Sequence, residues 1–226
     1  MGVKDSLGRR LAPVIIDRAP GLSGTFLREA LHRAIQGAGP LPGAAQAARA
    51  QLEEQGGDVQ RAVHEVIENH VRYAGAQGFV TNIGGLVTAA VAIPANIAGL
   101  ALVQTRMIAG IAHLRGYDLD DPRVRNGVLV SLLGEETVDE MVRRKKLPAP
   151  PMAIATAPSH DPSLEARISA EVATELVARV AGKRLATTVG RRVPVVGGVV
   201  GAGADGYFTW KVGRYADREF LPRARR

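Results

Sequence analysis

An all-α fold, a helical bundle, is what this sequence predicts, and three observations carry the prediction. Nearly every patterned segment repeats its apolar residues at helical spacing. Hydrophobic residues make up 46% of the chain with only four Phe, four Tyr and one Trp, so small aliphatic side chains must fill the interior. That suits closely packed helices better than strands, which favour aromatic and β-branched residues. Finally, no charged residue occurs for 33 positions between Arg72 and Arg106, in a chain with 29 basic and 22 acidic residues. A stretch like that is buried, either in the protein or in lipid.

The elements follow in order. Residues 22–36 place Leu22, Phe26, Ala30, Leu31, Ala34 and Ile35 on one helical face, with Arg28, Glu29, His32 and Arg33 opposite. Gly37 to Gly43 is a break, and a polar, alanine-rich helix follows to about Glu54. Gly56-Gly57 reads as a stop and Asp58 as an N-cap. The next helix, about 58–76, turns Val59, Val63, Val66, Ile67, Val71 and Ala74 inward, with Arg61/Glu65 and Glu68/Arg72 as i,i+4 pairs on its wet side. After Gly78 the uncharged stretch reads as two helices, about 79–92 and 95–115, broken at Pro94. Asp121-Pro122 is an N-cap with proline at the first helical position. A helix to about Gly134 and a charged one to about Lys146 follow it. Residues 147–162 hold five prolines and read as an extended linker or surface loop. Asp161-Pro162 repeats the cap, and the long helix after it carries Leu164, Ile168, Val172, Leu176 and Val180 at intervals of four. A glycine-rich apolar segment, 195–204, precedes the basic end Arg223-Ala-Arg-Arg226. The arrangement expected is a central hairpin, 79–115, buried against a glycine-rich helix, 195–215. Residues 1–55 form a helical extension to a main domain of residues 56–226.

Composition narrows the function. A net charge of +7 and a pI near 10.2 favour anionic partners: a membrane surface, a membrane protein complex or nucleic acid. Nucleic acid is disfavoured, because no aromatic stacking platform interleaves the basic residues. The absence of cysteine removes disulfides and thiolate chemistry and fits a reducing compartment. The first ten residues lack the apolar run of a secretory signal, and the Gly2/Ser6 myristoylation pattern is read as chance. The expected location is cytoplasmic, peripheral to or partly inserted at the inner membrane.

Several motifs bear on the choice between protein and lipid. Residues 83–103 are long enough to cross a bilayer at ~1.5 Å per residue. Gly84, Gly85, Pro94, Asn96 and Gln104 argue against a span, as does the lack of Trp or Lys anchors at both ends. Gly197 and Gly201 form a Gly-x-x-x-Gly spacing suited to close helix approach. On the central helix, Asn96, Gly99, Val103, Arg106, Gly110 and His113 share an arc of about 100°. Two readings of this stripe stay open. Asn96, Arg106 and His113 form a pocket for a small anion, or Arg106 makes a salt bridge to Glu65 or Glu68. Arg143, Arg144, Lys145 and Lys146, with Arg191 and Arg192, are candidate contacts for anionic lipid. The His64/His70 spacing cannot converge on a metal, and His70 falls on the inward stripe as a hydrogen-bonded core residue. No nucleophile elbow, metal site or cofactor motif is present, so nothing in the sequence supports catalysis.

Four runs of residues resemble the EcsC family of bacterial proteins: His70 to Gly85, Ile93-Pro-Ala-Asn-Ile-Ala98, Arg106 to Asp118, and Val193 to Gly203. Asn82 departs from a frequent glycine. The resemblance covers roughly 57–215 and carries over no activity and no catalytic residue. The family is named for a protein encoded beside an ABC exporter, which implies a transport or envelope setting.

Overall fold

The computed structural model describes residues 24–38, 41–83, 89–188 and 194–223. Side chains are described for these except at 38, 41, 77–83, 89–98, 179–188 and 194–202. The fold is all-α, with nine helices among the described residues. They are α1 (Gly24–Gln36), α2 (Ala44–Glu54), α3 (Val59–Ile83), α4 (Ala89–Leu114), α5 (Pro122–Ser131), α6 (Glu135–Arg143), α7 (Pro151–Ala155), α8 (Pro162–Thr188) and α9 (Pro194–Glu219). The break after α1 closes a two-residue antiparallel ladder, β1 (Gly37–Ala38) on β2 (Leu41–Pro42).

The helix starts are set by short polar caps. Asp121 accepts the Arg123 backbone N–H at 2.8 Å ahead of Pro122. Asp161 does the same for Ser163 at 2.9 Å ahead of Pro162. Each carboxylate satisfies an N–H that the first turn leaves without a partner.

The most buried element is α5, which is short. Every residue from Asn126 to Leu133 is buried, so this segment is enclosed on all sides in the way of a core helix, with Asn126 and Ser131 as its buried polar residues. Around it one cluster joins Leu27 and Leu31 of α1, Ala48 of α2, Ile67 of α3, Met107 and Ile111 of α4, Ile168 of α8 and Phe220. Residues 24–54 therefore share the core with the helices that follow.

Three expectations are corrected. Helix α3 runs through Gly78 to Ile83, and Pro94 lies inside α4 instead of separating two helices. A proline removes one i→i−4 bond, whereas the many remaining bonds of a 26-residue helix carry it through. The proline-rich segment is not an open linker, since Leu147, Pro151, Ile154 and Ala155 are buried. Proline is compatible with the first turn of α7. Gly127 also lets that backbone come close: a Cβ there would stand 2.9 Å from the Pro151 carbonyl oxygen. Arg61 pairs with Asp58 and Arg72 donates to Asn69, in place of the i,i+4 pairs with Glu65 and Glu68.

Helices α3, α4 and α9 meet through small residues and polar bonds. A Cβ on Gly213 would stand 3.0 Å from Ile67 and 3.1 Å from the Met107 sulfur. Gly206 faces Val71, and Gln104 donates to the Thr209 hydroxyl at 3.1 Å. The surroundings of Gly197 and Gly201, and most of the predicted contact between 79–115 and 195–215, lie outside the described residues. At the other end Arg115 joins three helices. Its guanidinium forms a short ion pair with Asp217 of α9 and donates to Gln60 of α3 at 2.8 Å, and its backbone carbonyl accepts the Arg223 backbone N–H at 2.8 Å. Among the described residues no helix is long and apolar enough to cross a membrane.

Candidate functional site

A cleft of about 570 Å³ opens between α1, α2, α3 and α4. Ten of its sixteen lining residues are apolar, among them Ala34, Ala44, Ala47, Ala48 and Ala50, with Leu102 and Val103 across from them. The polar remainder is Arg33, Gln51, Asn69, His70, Tyr73 and Arg106. Among the described residues no lining residue carries a carboxylate.

Periodicity explains how these side chains converge. Positions 66, 69, 70 and 73 share one side of α3, and 102, 103, 106 and 110 share one side of α4. Gly110 brings α2 close, since a Cβ there would stand 3.6 Å from both Ala48 and Val66. Alanine-rich α2 thus supplies a thin wall, held to α3 by Asn69 donating to Gln51 at 3.3 Å.

Arg106 is the electrostatic centre of the cleft. It is half-buried, and among the described residues its guanidinium has no ion pair and no hydrogen bond. Burial lowers its pKa, partly offset by Tyr73. The interhelical salt bridge read as one option for Arg106 is found at Arg115 instead, in the turn just past the C-terminus of the same helix. His70, 8% exposed, lies beside Arg106. Its Nδ1 is 2.7 Å from the Val66 carbonyl oxygen, an acceptor only, so Nδ1 carries the proton and Nε2 is the free lone pair. Burial and the Arg106 charge lower the pKa to about 4 against the opposing Val66 bond, which keeps the ring neutral near pH 7. Tyr73 stands edge-on to His70 at 6.1 Å between centroids and is 64% exposed at the rim. Arg33 is held at the rim by Glu29 at 2.7 Å.

Of the stripe read from the sequence, Val103, Arg106 and Gly110 reach the cleft. His113 is half-buried on α4 and is not among the lining residues. The Asn96 backbone belongs to α4, but its side chain lies outside the described residues. The α2 wall and the His70/Tyr73 pair were not foreseen as part of the site. The inward position of His70 was the one available signal, since nothing local links residues 44–51 to 102–110.

The basic candidates divide. Arg144 pairs with Glu140 at 2.7 Å and Lys146 with Glu171 at 2.5 Å, whereas Arg143 and Lys145 are exposed and unpaired among the described residues. Arg191 and Arg192 lie outside the described residues.

Comparison with curated proteins and with solved structures gave no match. A family comparison did: the EcsC protein family matches residues 44–224, which include three of the four walls of the cleft. On that match, which covers most of its length, the chain belongs to the EcsC protein family.

Proposed function

We propose that this is a non-enzymatic binding protein whose cleft takes a small anionic ligand at Arg106. The observation that carries the reading is a half-buried guanidinium with no ion pair or hydrogen bond among the described residues, in a cleft whose described lining holds no carboxylate. A cation partly withdrawn from water gains most from a counter-charge, and hydrogen bonds between ionised groups are the strong ones. The cleft's His70 is neutral and hydrogen-bonded, so it adds no competing charge. The test is thermal unfolding in increasing acetate and inorganic phosphate, with sodium chloride at matched ionic strength as control. Binding raises the melting temperature with concentration, and Arg106→Gln removes the rise. A wild-type protein that ignores both anions at millimolar concentration refutes the reading.

A second reading, action at the anionic cytoplasmic face of a membrane beside a transport or envelope system, is favoured by charge placement. Residues 69–114 and 176–204 contain no Asp or Glu and hold seven Lys and Arg, equal to the whole-chain net charge of +7. The contacts of Val71 with Gly206 and of Gln104 with Thr209 support placing the first of these carboxylate-free segments beside the helix that carries the second. Arg143, Lys145, Arg191 and Arg192 would meet the headgroups. The exposed Tyr207 and Trp210, stacked at 6.1 Å, are of the type that settles at a lipid interface. Flotation with phosphatidylglycerol vesicles, lost in high salt and absent with phosphatidylcholine, supports this reading. Failure to float with either vesicle sinks it.

A further inference from the structure

We infer that the ligand of the Arg106 cleft is a single-chain anionic amphiphile, with a carboxylate or phosphate head at Arg106 and its alkyl chain along the alanine wall of α2. This rests on the anion-binding reading above and adds a second requirement, the chain.

The lining itself points to an amphiphile. A small inorganic ion would need a ring of donors and little volume, yet the cleft has about 570 Å³ and a mostly apolar lining. That volume falls within the ~300–1,000 Å³ range of small-molecule sites. Polar atoms beside Arg106 of α4 come from α3 (His70 and Asn69), while Ala44, Ala47 and Ala48 come from α2. The other polar lining residues near that wall are already engaged, Gln51 of α2 with Asn69 and Glu54, and Arg33 of α1 with Glu29. Alanine side chains leave a trough with no hydrogen-bonding group of their own, so only an apolar part of a ligand gains there. His70 adds an acceptor: its Nδ1 is committed to Val66, and Nε2 has no partner among the described residues. A head that is an anion and retains one proton, such as a phosphate monoester, can pair with Arg106 and donate to Nε2. A carboxylate satisfies Arg106 alone. The two heads share the chemistry that matters, a negative oxygen on a single chain.

The experiment is isothermal titration of the full chain with decanoate and decyl phosphate below their micelle concentrations. Acetate, inorganic phosphate and decyltrimethylammonium are titrated in parallel. The expected result is saturable binding of the two long anions, at least ten-fold tighter than their short counterparts and absent for the long cation. Arg106→Gln should weaken decanoate on the order of 10- to 100-fold, the worth of a hydrogen bond to a charged group. Ala47→Leu, at a half-buried wall position, should weaken the long anions and leave inorganic phosphate unchanged. Circular dichroism of each variant confirms the fold, and a variant that does not fold is replaced by Arg106→Lys or Ala47→Val. Extraction of a lysophosphatidate from vesicles, set beside decanoate binding in solution, tells a lipid source from a free acid, and either supports the inference. Short anions that bind as tightly as long ones overturn the amphiphile and leave the anion site standing. The long cation binding equally well, or Arg106→Gln without effect, overturns the head assignment. No binding of any anion overturns both.

Discussion

Mild acid should destabilise this protein through His70. The imidazole is 8% exposed, and burial, with a smaller contribution from Arg106, lowers its pKa from 6.5 to about 4 against the Val66 hydrogen bond. The folded chain therefore keeps the ring neutral where the unfolded chain already protonates it. Between those two values the unfolded state binds more protons, so stability falls as pH falls from 6.5 towards 4 and is level above that window. The full shift corresponds to about 3 kcal/mol, of which about 2 kcal/mol is lost by about pH 5. Urea unfolding of wild type and His70→Gln at about pH 7.5 and about pH 5 measures it, because the variant lacks the titrating ring. Wild type should lose about 2 kcal/mol more than the variant, or about 4–8 °C in a thermal scan of a chain this size. Asp121, held below the usual range by Arg123, and Asp161, held there by Ser163, lose their contribution only below the ordinary carboxylate value of 3.8. They are also common to both proteins and cancel in the difference. Parallel pH slopes for the two proteins would refute the burial of His70.

Other outcomes follow from the helix contacts. Asp217→Ala leaves the nearly buried Arg115 without its counter-charge and should cost about 3–5 kcal/mol. Arg115→Met with Asp217→Leu should cost much less, since no charge is then stranded; equal losses in urea would contradict this. Gly213→Ala pushes a methyl group against Ile67 and Met107 and should destabilise by up to about 2 kcal/mol after the helix-propensity gain. Gly206→Ala meets Val71 at an ordinary 3.7 Å and should be neutral or stabilising, so the two variants should separate in thermal unfolding. Gly127→Ala crowds the Pro151 carbonyl at 2.9 Å and should loosen α7, read as faster hydrogen exchange over 151–155.

The readable parts of the fold were those set within a few residues. The Asp121-Pro122 and Asp161-Pro162 starts stand where the pattern puts them, and so do the inward faces of α1 and α3, with Phe26, Val59 and Val71 half-buried and Leu22 outside the described residues. What misled was punctuation taken at face value. Pro94 and Gly78 are absorbed within long helices, and proline-rich 147–162 contains a helix because Ile154 and Ala155 have a core to enter. The site was half legible. The stripe Val103, Arg106 and Gly110 could be drawn on a helical wheel, but its neighbours on α2 lie more than fifty positions earlier. Salt-bridge partners follow the same rule. The carboxylates on α3, Glu65 and Glu68, are nearer to Arg106 in sequence than Asp217 is to Arg115, yet it is Asp217 that makes the pair from the far end of the chain.

By itself the sequence determined the helical class, the caps, the buried faces and the family, because each depends on spacing along one helix or on a local motif. Only the tertiary structure decided that α5 is the innermost helix, that Arg115 takes the buried ion pair, and that Arg106 faces an alanine-walled cleft. The physical reason is that burial and charge pairing are properties of the space between helices, and that space is fixed by contacts among segments far apart in the chain.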